Sequence, residues 1–421
     1  MIRRRKVSNK KIWVPSAVPF FLFGFVYYLI SPPFVLQFLS DDNDLLYVAT
    51  RYLDSRLFNI SYFLDAIFIL VSFWLGYSLG RVGTNAKCSV LDYGSFQTSF
   101  PSLLALLFFV LIVYFSLTAD ATGAGFFTGY STYNISVLGP FSTCAFMSAW
   151  FVNYFSRKKI SLIFLSFFVI CSVLLLGWGS RMFFVLSFMA LILGVLSKNR
   201  KLLKSLRLYV LVIVSCLLML VVGVVRHGGG ELSGDKLIGI LFAEPLFTSI
   251  TEALYLDNSG GRPVYGVPYD LFASIIHFIP SAVYPGKIEL IGEITFDENV
   301  ETPFGAKALM VNMYSNFGMF YPIFIAFIGL YYGFLYKKAQ NSVFYRATYF
   351  SALPIVFLLF FRESLITVIK VMFFNGLIVP LFVSILLIWL SPRTMADIRS
   401  RISRDRGRGD SASKITVYRQ S

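Results

Sequence analysis

Long apolar runs separated by short polar breaks dominate the chain. Ten runs stand out, near 12–30, 60–80, 100–118, 133–154, 160–178, 182–197, 208–225, 315–335, 347–361 and 371–390. A helix needs about 20 mostly apolar residues to cross a bilayer. Barrel strands would alternate with a period of two, and these runs are continuous. The pattern therefore predicts an all-α polytopic membrane protein with about ten transmembrane helices. The first run follows a basic stretch, Arg3 to Lys11, and leads into Ser31-Pro32-Pro33. It is longer than a secretion-signal core and has no small-residue cleavage site, so it reads as a retained anchor.

The breaks divide the chain into four parts: helices 1–7 over 1–225, a large polar loop over 226–314, helices 8–10 over 315–390, and a basic tail over 391–421. Few loops of such length lack a role. Within the loop, Lys236–Leu256 is apolar with Glu244 and Glu252 embedded and Pro245 interrupting; it suits a surface-lying or re-entrant segment. Asp257–Pro263 is turn-rich. Tyr269–Phe278 predicts a short amphipathic helix, Pro280 and Pro285 an extended stretch to Lys287, and Glu289 to Glu301 is acidic.

Composition agrees: 57% of residues are hydrophobic and only 14% charged, against about 25% charged in soluble domains. That excludes a soluble enzyme and a disordered chain. The net charge of +15 would suggest nucleic acid in a soluble protein. With the N-terminus inside, however, the cytoplasmic segments carry +23 and the remainder −8. The excess is thus largely the positive-inside asymmetry of membrane proteins, and no nucleic-acid partner is implied. The basic run Arg399–Arg408 fits a solvated tail near anionic lipid. Cys144, Cys171 and Cys216 lie in apolar runs and Cys88 in a cytoplasmic loop, so neither an outer disulfide nor a zinc pattern is indicated.

Ten basic residues break the inside rule: Arg51, Arg56, Arg181, Arg226, Lys236, Arg262, Lys287, Lys307, Arg362 and Lys370. Arg181, Arg226 and Arg362 fall at the outer ends of three separate runs. Charge at that depth is costly without a purpose. Arginine's planar fork matches phosphate, so Arg181, Arg226, Arg262 and Lys287 as a set suit a diphosphate held above the bilayer. Each alone is also explained by snorkelling or by a nearby acid, as Arg362 is by Glu363. His277 is the first candidate base and Glu252 the second; a hydrogen-bonded structural histidine is the alternative. Tyr265, Tyr269, Tyr284 and Tyr314 offer faces for sugars or interfacial anchors. Asp42-x-Asp44 looks like a metal-chelating pair, but such spacing is common in turns. Neither P-loop nor dinucleotide fingerprint occurs.

Three short motifs carry a resemblance. Ile279-Pro280-Ser281-Ala282-Val283-Tyr284-Pro285-Gly286-Lys287, Asn312-Met313-Tyr314-Ser315-Asn316-Phe317-Gly318 and Gly179-Ser180-Arg181 resemble segments of Wzy-type O-antigen (oligosaccharide repeat unit) polymerases. Ser281 stands where that family has Arg, and Tyr284 replaces Trp. The related O-antigen ligases have His where this chain has Val311. The resemblance implies a GT-C-like fold with a partly helical periplasmic loop between helices 7 and 8. It implies an inverting glycosyltransferase at the periplasmic face of the bacterial inner membrane. Its substrates would be undecaprenyl-diphosphate-linked oligosaccharides, with diphosphate bound by Arg181, Arg226, Arg262 and Lys287 and sugars met by Tyr284, Tyr314 and Asn316. No cofactor or metal is expected, and Asp42 and Asp44 become incidental. A chain-length regulator joins membrane lipids as an expected partner. An O-antigen ligase, and a transporter or flippase of lipid-linked oligosaccharide, are the competing functions; two related halves, the mark of many transporters, are not seen.

Overall fold

A computed structural model describes residues 13–36, 58–82, 99–118, 135–155, 159–177, 181–206, 209–210, 213–214, 217, 234–258, 265–277, 279, 283–294, 309–378, 380–382 and 385–386. Most of the expected seventh run, both basic termini, Asp42, Asp44, Arg226 and Arg262 lie outside them. The described residues are helical, without a strand.

Twelve helices are used below. They are α1 (Val18–Val35), α2 (Ile60–Arg81), α3 (Ser99–Thr118), α4 (Ile135–Tyr154), α5 (Ile160–Gly177), α6 (Arg181–Lys198), α7 (Gly234–Asn258), α8 (Tyr269–His277), α9 (Lys287–Ile294), α10 (Leu309–Ala339), α11 (Val343–Arg362) and α12 (Leu365–Phe382). Among the described residues, α1, α2, α5, α10, α11 and α12 are long and apolar enough to cross a membrane, and this is a multi-pass membrane protein. Residues Ala105–Tyr114 and Met182–Lys198 form shorter apolar helices.

Local chemistry sets the helix starts. The side chains of Asn59, Ser342 and Ser364 accept hydrogen bonds from the backbone N–H of Tyr62, Tyr345 and Thr367, opening α2, α11 and α12. At 22 residues, α2 is roughly 33 Å long, about the hydrocarbon thickness. Two boundaries differ from the hydropathy reading. Pro32 and Pro33 lie inside α1, after a widened π turn over Val26–Ile30 that makes room for rings an ordinary helix would expel. Helix α12 starts at Leu365, so Lys370 is within the helix rather than before it.

The tightest pairing is α2 with α10. A methyl built on Gly76 or Gly80 would strike the carbonyl oxygen of Ala326 or Leu330, and one on Gly329 or Gly333 that of Phe73 or Tyr77. Both helices thus carry a Gly-x-x-x-Gly face that lets their backbones touch, and the matching positions rise together, so they run parallel. Phe21 stacks on Phe73 at 3.8 Å between ring centroids, tying α1 to this pair. A second cluster joins α3, α4 and α5 around Phe108, Trp150, Phe151 and Phe164 and contains the free thiols Cys144 and Cys171.

The loop-borne helices α7 and α8 meet one end of the bundle. The Tyr27 hydroxyl donates to the Leu241 carbonyl, linking α1 to α7. Arg362, at the end of α11, pairs with Glu244 of α7. Helix α8 packs on the start of α12. Arg81, Lys198, Lys337, Lys338 and Arg346 lie toward the opposite ends of their helices.

Candidate functional site

Residues Tyr269–His277 form about two and a half turns of amphipathic helix beside the first turns of α12. The structure brings His277 at its C-terminus to Lys370: His277 Nε2 and Lys370 Nζ are 3.0 Å apart. A lysine has only protons to give, so Lys370 donates and Nε2 accepts. Lys370 opens a π-helical stretch, Lys370–Ile378, a deformation frequent at functional sites. Lys287, the first residue of α9, is buried and donates to the Ile279 carbonyl at 2.7 Å. Burial, then the charges of Lys370 and Lys287, push the His277 imidazole down to about 4. It is neutral at neutral pH, in the form that accepts a proton, beside two fixed cations.

A polar clamp holds this group in place. Asn316 Oδ1 accepts from the Asp270 backbone N–H at 2.8 Å, and its Nδ2 donates to Asp270 Oδ2 and the Asn312 carbonyl, both at 2.7 Å. Asn312 Oδ1 accepts from Leu365 N–H at 3.3 Å. The clamp fastens α8 to α10, and α10 to α12. Gly318 follows with φ 55°, a left-handed conformation that favours glycine, and turns the chain into the spanning part of α10. The expected sugar-binding Asn316 is therefore occupied with structure. Tyr314 is likewise fully buried, its ring 4.5 Å from Tyr321 and 6.2 Å from Tyr255. Tyr265, Tyr269 and Tyr284 are exposed and keep their faces available.

Glu252 lies elsewhere, on a buried face of α7. Burial, then the nearby Asp65 carboxylate, pushes it well above the usual carboxylate range. Its charged form is disfavoured in that setting. Asp65 is also buried and accepts from the Tyr321 hydroxyl at 2.7 Å. Arg362 makes a 3.0 Å ion pair with Glu244, lies 3.8 Å from Glu363 and donates to Met182 Sδ at 3.2 Å. Since Arg181 precedes Met182 as the first residue of α6, the start of α6 reaches the same face as α7 and the end of α11.

The family model described as O-antigen polysaccharide polymerase Wzy matches residues 6–251, more than half of the chain. The chain belongs to this family. No curated protein matches it, and no solved structure does. The match to the Wzy polymerases takes in α1–α6 and most of α7. Of the three motifs quoted above, only Gly179-Ser180-Arg181 falls inside it; His277, Lys287 and Lys370 lie beyond. Two of the three motifs therefore lie beyond the matched residues.

In this Wzy family member the residue the sequence left without a role is Lys370. It stood among the ten outer cations, five residues past Glu363-Ser364-Leu365's opening acid-and-cap turn, and hydropathy put it just before a helix. The available signal was an outer cation directly abutting an apolar run, where desolvation must be offset. The Gly-x-x-x-Gly repeats in α2 and α10 were legible in the same way.

Proposed function

We propose that this polymerase joins lipid-linked repeat units at the outer, periplasmic face of the bacterial inner membrane. The acceptor is the non-reducing end of a new undecaprenyl-diphosphate-linked repeat; the donor is the growing glycan on its own undecaprenyl diphosphate. The acceptor hydroxyl oxygen forms a bond to the donor's anomeric carbon from the face opposite the diphosphate. The bond from that carbon to the diphosphate oxygen breaks, and the diphosphate leaves with the electron pair. Configuration inverts, and no nucleotide is consumed. A GT-C-like architecture with about ten spanning helices, and a chain-length regulator as partner, belong to the same reading.

The His277–Lys370–Lys287 group carries it. Developing charge on a leaving diphosphate needs preorganised cations, and Lys287 and Lys370 supply two beside a neutral imidazole. A diphosphate draws Lys370 onto its oxygens and frees Nε2. Its negative charge also raises the affinity of His277 for a proton. His277 then takes the acceptor's proton as the new bond forms. Arg181, Arg226 and Arg262 complete the proposed diphosphate site, and exposed Tyr284 offers a sugar platform. Glu252, buried on α7 apart from this group, is the second candidate base.

Purified protein given verified lipid-linked repeats should lengthen glycan without nucleotide sugar; intact substrate left unextended would sink the proposal. Deletion separates the alternatives. Loss of a polymerase leaves single repeats on the lipid core, and loss of a ligase leaves none. Loss of a flippase keeps repeats on the cytoplasmic side.

A further inference from the structure

Helices α2 and α10 touch at Gly80 and Gly333, where a methyl on Gly333 would come within 3.0 Å of the Gly80 Cα. Just past that contact, at the end of the bundle away from His277, a cleft of about 330 Å³ opens between them. Ser78, Arg81, Val82, Tyr336, Lys337 and Gln340 line it. The Arg81 guanidinium lies over two rings, 5.7 Å from the centroid of Tyr77 and 5.2 Å from that of Tyr336. Stacking of this kind fixes the plane of the fork and leaves its N–H edges free to donate. Among the described residues, no carboxylate forms an ion pair with Arg81 or Lys337.

Two helix C-termini end nearby and bring about half a negative charge each. Arg81, Lys337 and Lys338 outweigh them, so the cleft stays net positive. Its volume falls at the low end of small-molecule sites, about 300–1,000 Å³, enough for a headgroup. The flanks decide what else the ligand carries. Leu75, Leu79, Leu330 and Phe334 on the same two helices face outward and continue the cleft with apolar surface.

We propose that this cleft binds an anionic phosphate group, held by the fork of Arg81 and the ammonium of Lys337, with Ser78 and Gln340 as hydrogen-bonding neighbours. The apolar flanks favour the phosphodiester of a membrane phospholipid, its acyl chains lying along α2 and α10, over free phosphate. Basic pockets between spanning helices suit anionic headgroups on electrostatic grounds. The site is separate from the outer cation group, about the length of α2 away.

The test uses the full chain, delipidated in mild detergent and titrated separately with phosphatidylglycerol, phosphatidylcholine and inorganic phosphate. Bound lipid is counted by native mass spectrometry and Tm is followed in parallel. Phosphatidylglycerol should bind and raise Tm, and phosphatidylcholine should not. Arg81→Gln combined with Lys337→Gln should weaken binding by about tenfold or more, and Arg81→Lys should keep part of it. Inorganic phosphate matching the lipid, with both lost in the double variant, supports the anion site and assigns it to soluble phosphate. Equal phosphatidylglycerol binding by wild type and double variant, or equal binding of the two lipids, overturns the proposal. Should the double variant fail to fold, Lys337→Gln alone, at a half-buried last-turn position, gives the same discrimination.

Discussion

Lys370 Nζ sits 3.0 Å from His277 Nε2 across 93 residues of sequence, so the candidate base is held in check by a cation that a diphosphate could claim. Activity in kcat/KM reports the free enzyme's groups. We predict an acid limb near pH 4 in the wild type, where His277 titrates. Lys370→Gln should lower the rate and move that limb upward. It should stop short of 6.5, because burial contributes more to the shift than the lysine charge. A limb that stays put would separate His277 from Lys370 in the reaction.

The same imidazole should leave a mark on stability. It titrates near 4 in the fold and at 6.5 in the unfolded chain. Between those values the unfolded chain binds more protons. The contribution is therefore fully present above pH 6.5 and is lost as pH falls toward 4. Partial exposure makes it modest. His277→Gln should flatten this part of the Tm-against-pH curve, and an unchanged slope would assign it to other groups.

Arg181→Ala should abolish chain lengthening while Tm and monodispersity hold. Arg181→Lys should restore part of the activity, since it keeps the charge and loses the fork. Wild-type chain lengths in the Ala variant would take Arg181 out of the site.

Asn316 and Tyr284 should part company. Asn316→Ala removes three hydrogen bonds of 2.8 Å or shorter from a buried clamp and should cost about 3 kcal/mol of stability. Tyr284→Ala, at an exposed ring, should leave stability nearly unchanged and raise KM for the acceptor. Denaturation and initial-rate measurements on both variants check the split; the reverse pattern would return Asn316 to the sugar.

Overpacking the α2–α10 contact should be costly. Gly76→Leu meets backbone of Ala326 that cannot move aside, and a loss of at least about 1–3 kcal/mol is expected. Gly376→Ala is the control, with its nearest neighbours at 3.7 Å and 3.8 Å. Equal melting temperatures in the two variants would mean the helices can separate.

Hydropathy located the long helices because lipid tolerates little else. It missed details that depend on partners: the prolines inside α1 need the π turn before them, and Lys370 joins α12 only because Ser364 caps it at Leu365. The amphipathic Tyr269–His277 helix was readable from its own periodicity. Its grip on α10 was not, since a buried asparagine and a sugar-binding one look alike until the hydrogen bonds of Asn316 are traced. His277 and Lys287 were selected from residue type and side of the membrane, properties a sequence carries. That Glu252 is buried beside Asp65 is a matter of packing.

The parallel contact of α2 with α10 also sets a schedule. Tyr321, which donates to Asp65, is 256 residues further along the chain. A ribosome adding about 5–20 residues per second needs roughly 13 to 51 seconds to produce it. Throughout that interval α2 exists with a carboxyl group in its apolar stretch and two bare glycines on its face, before either Tyr321 or α10 has been made.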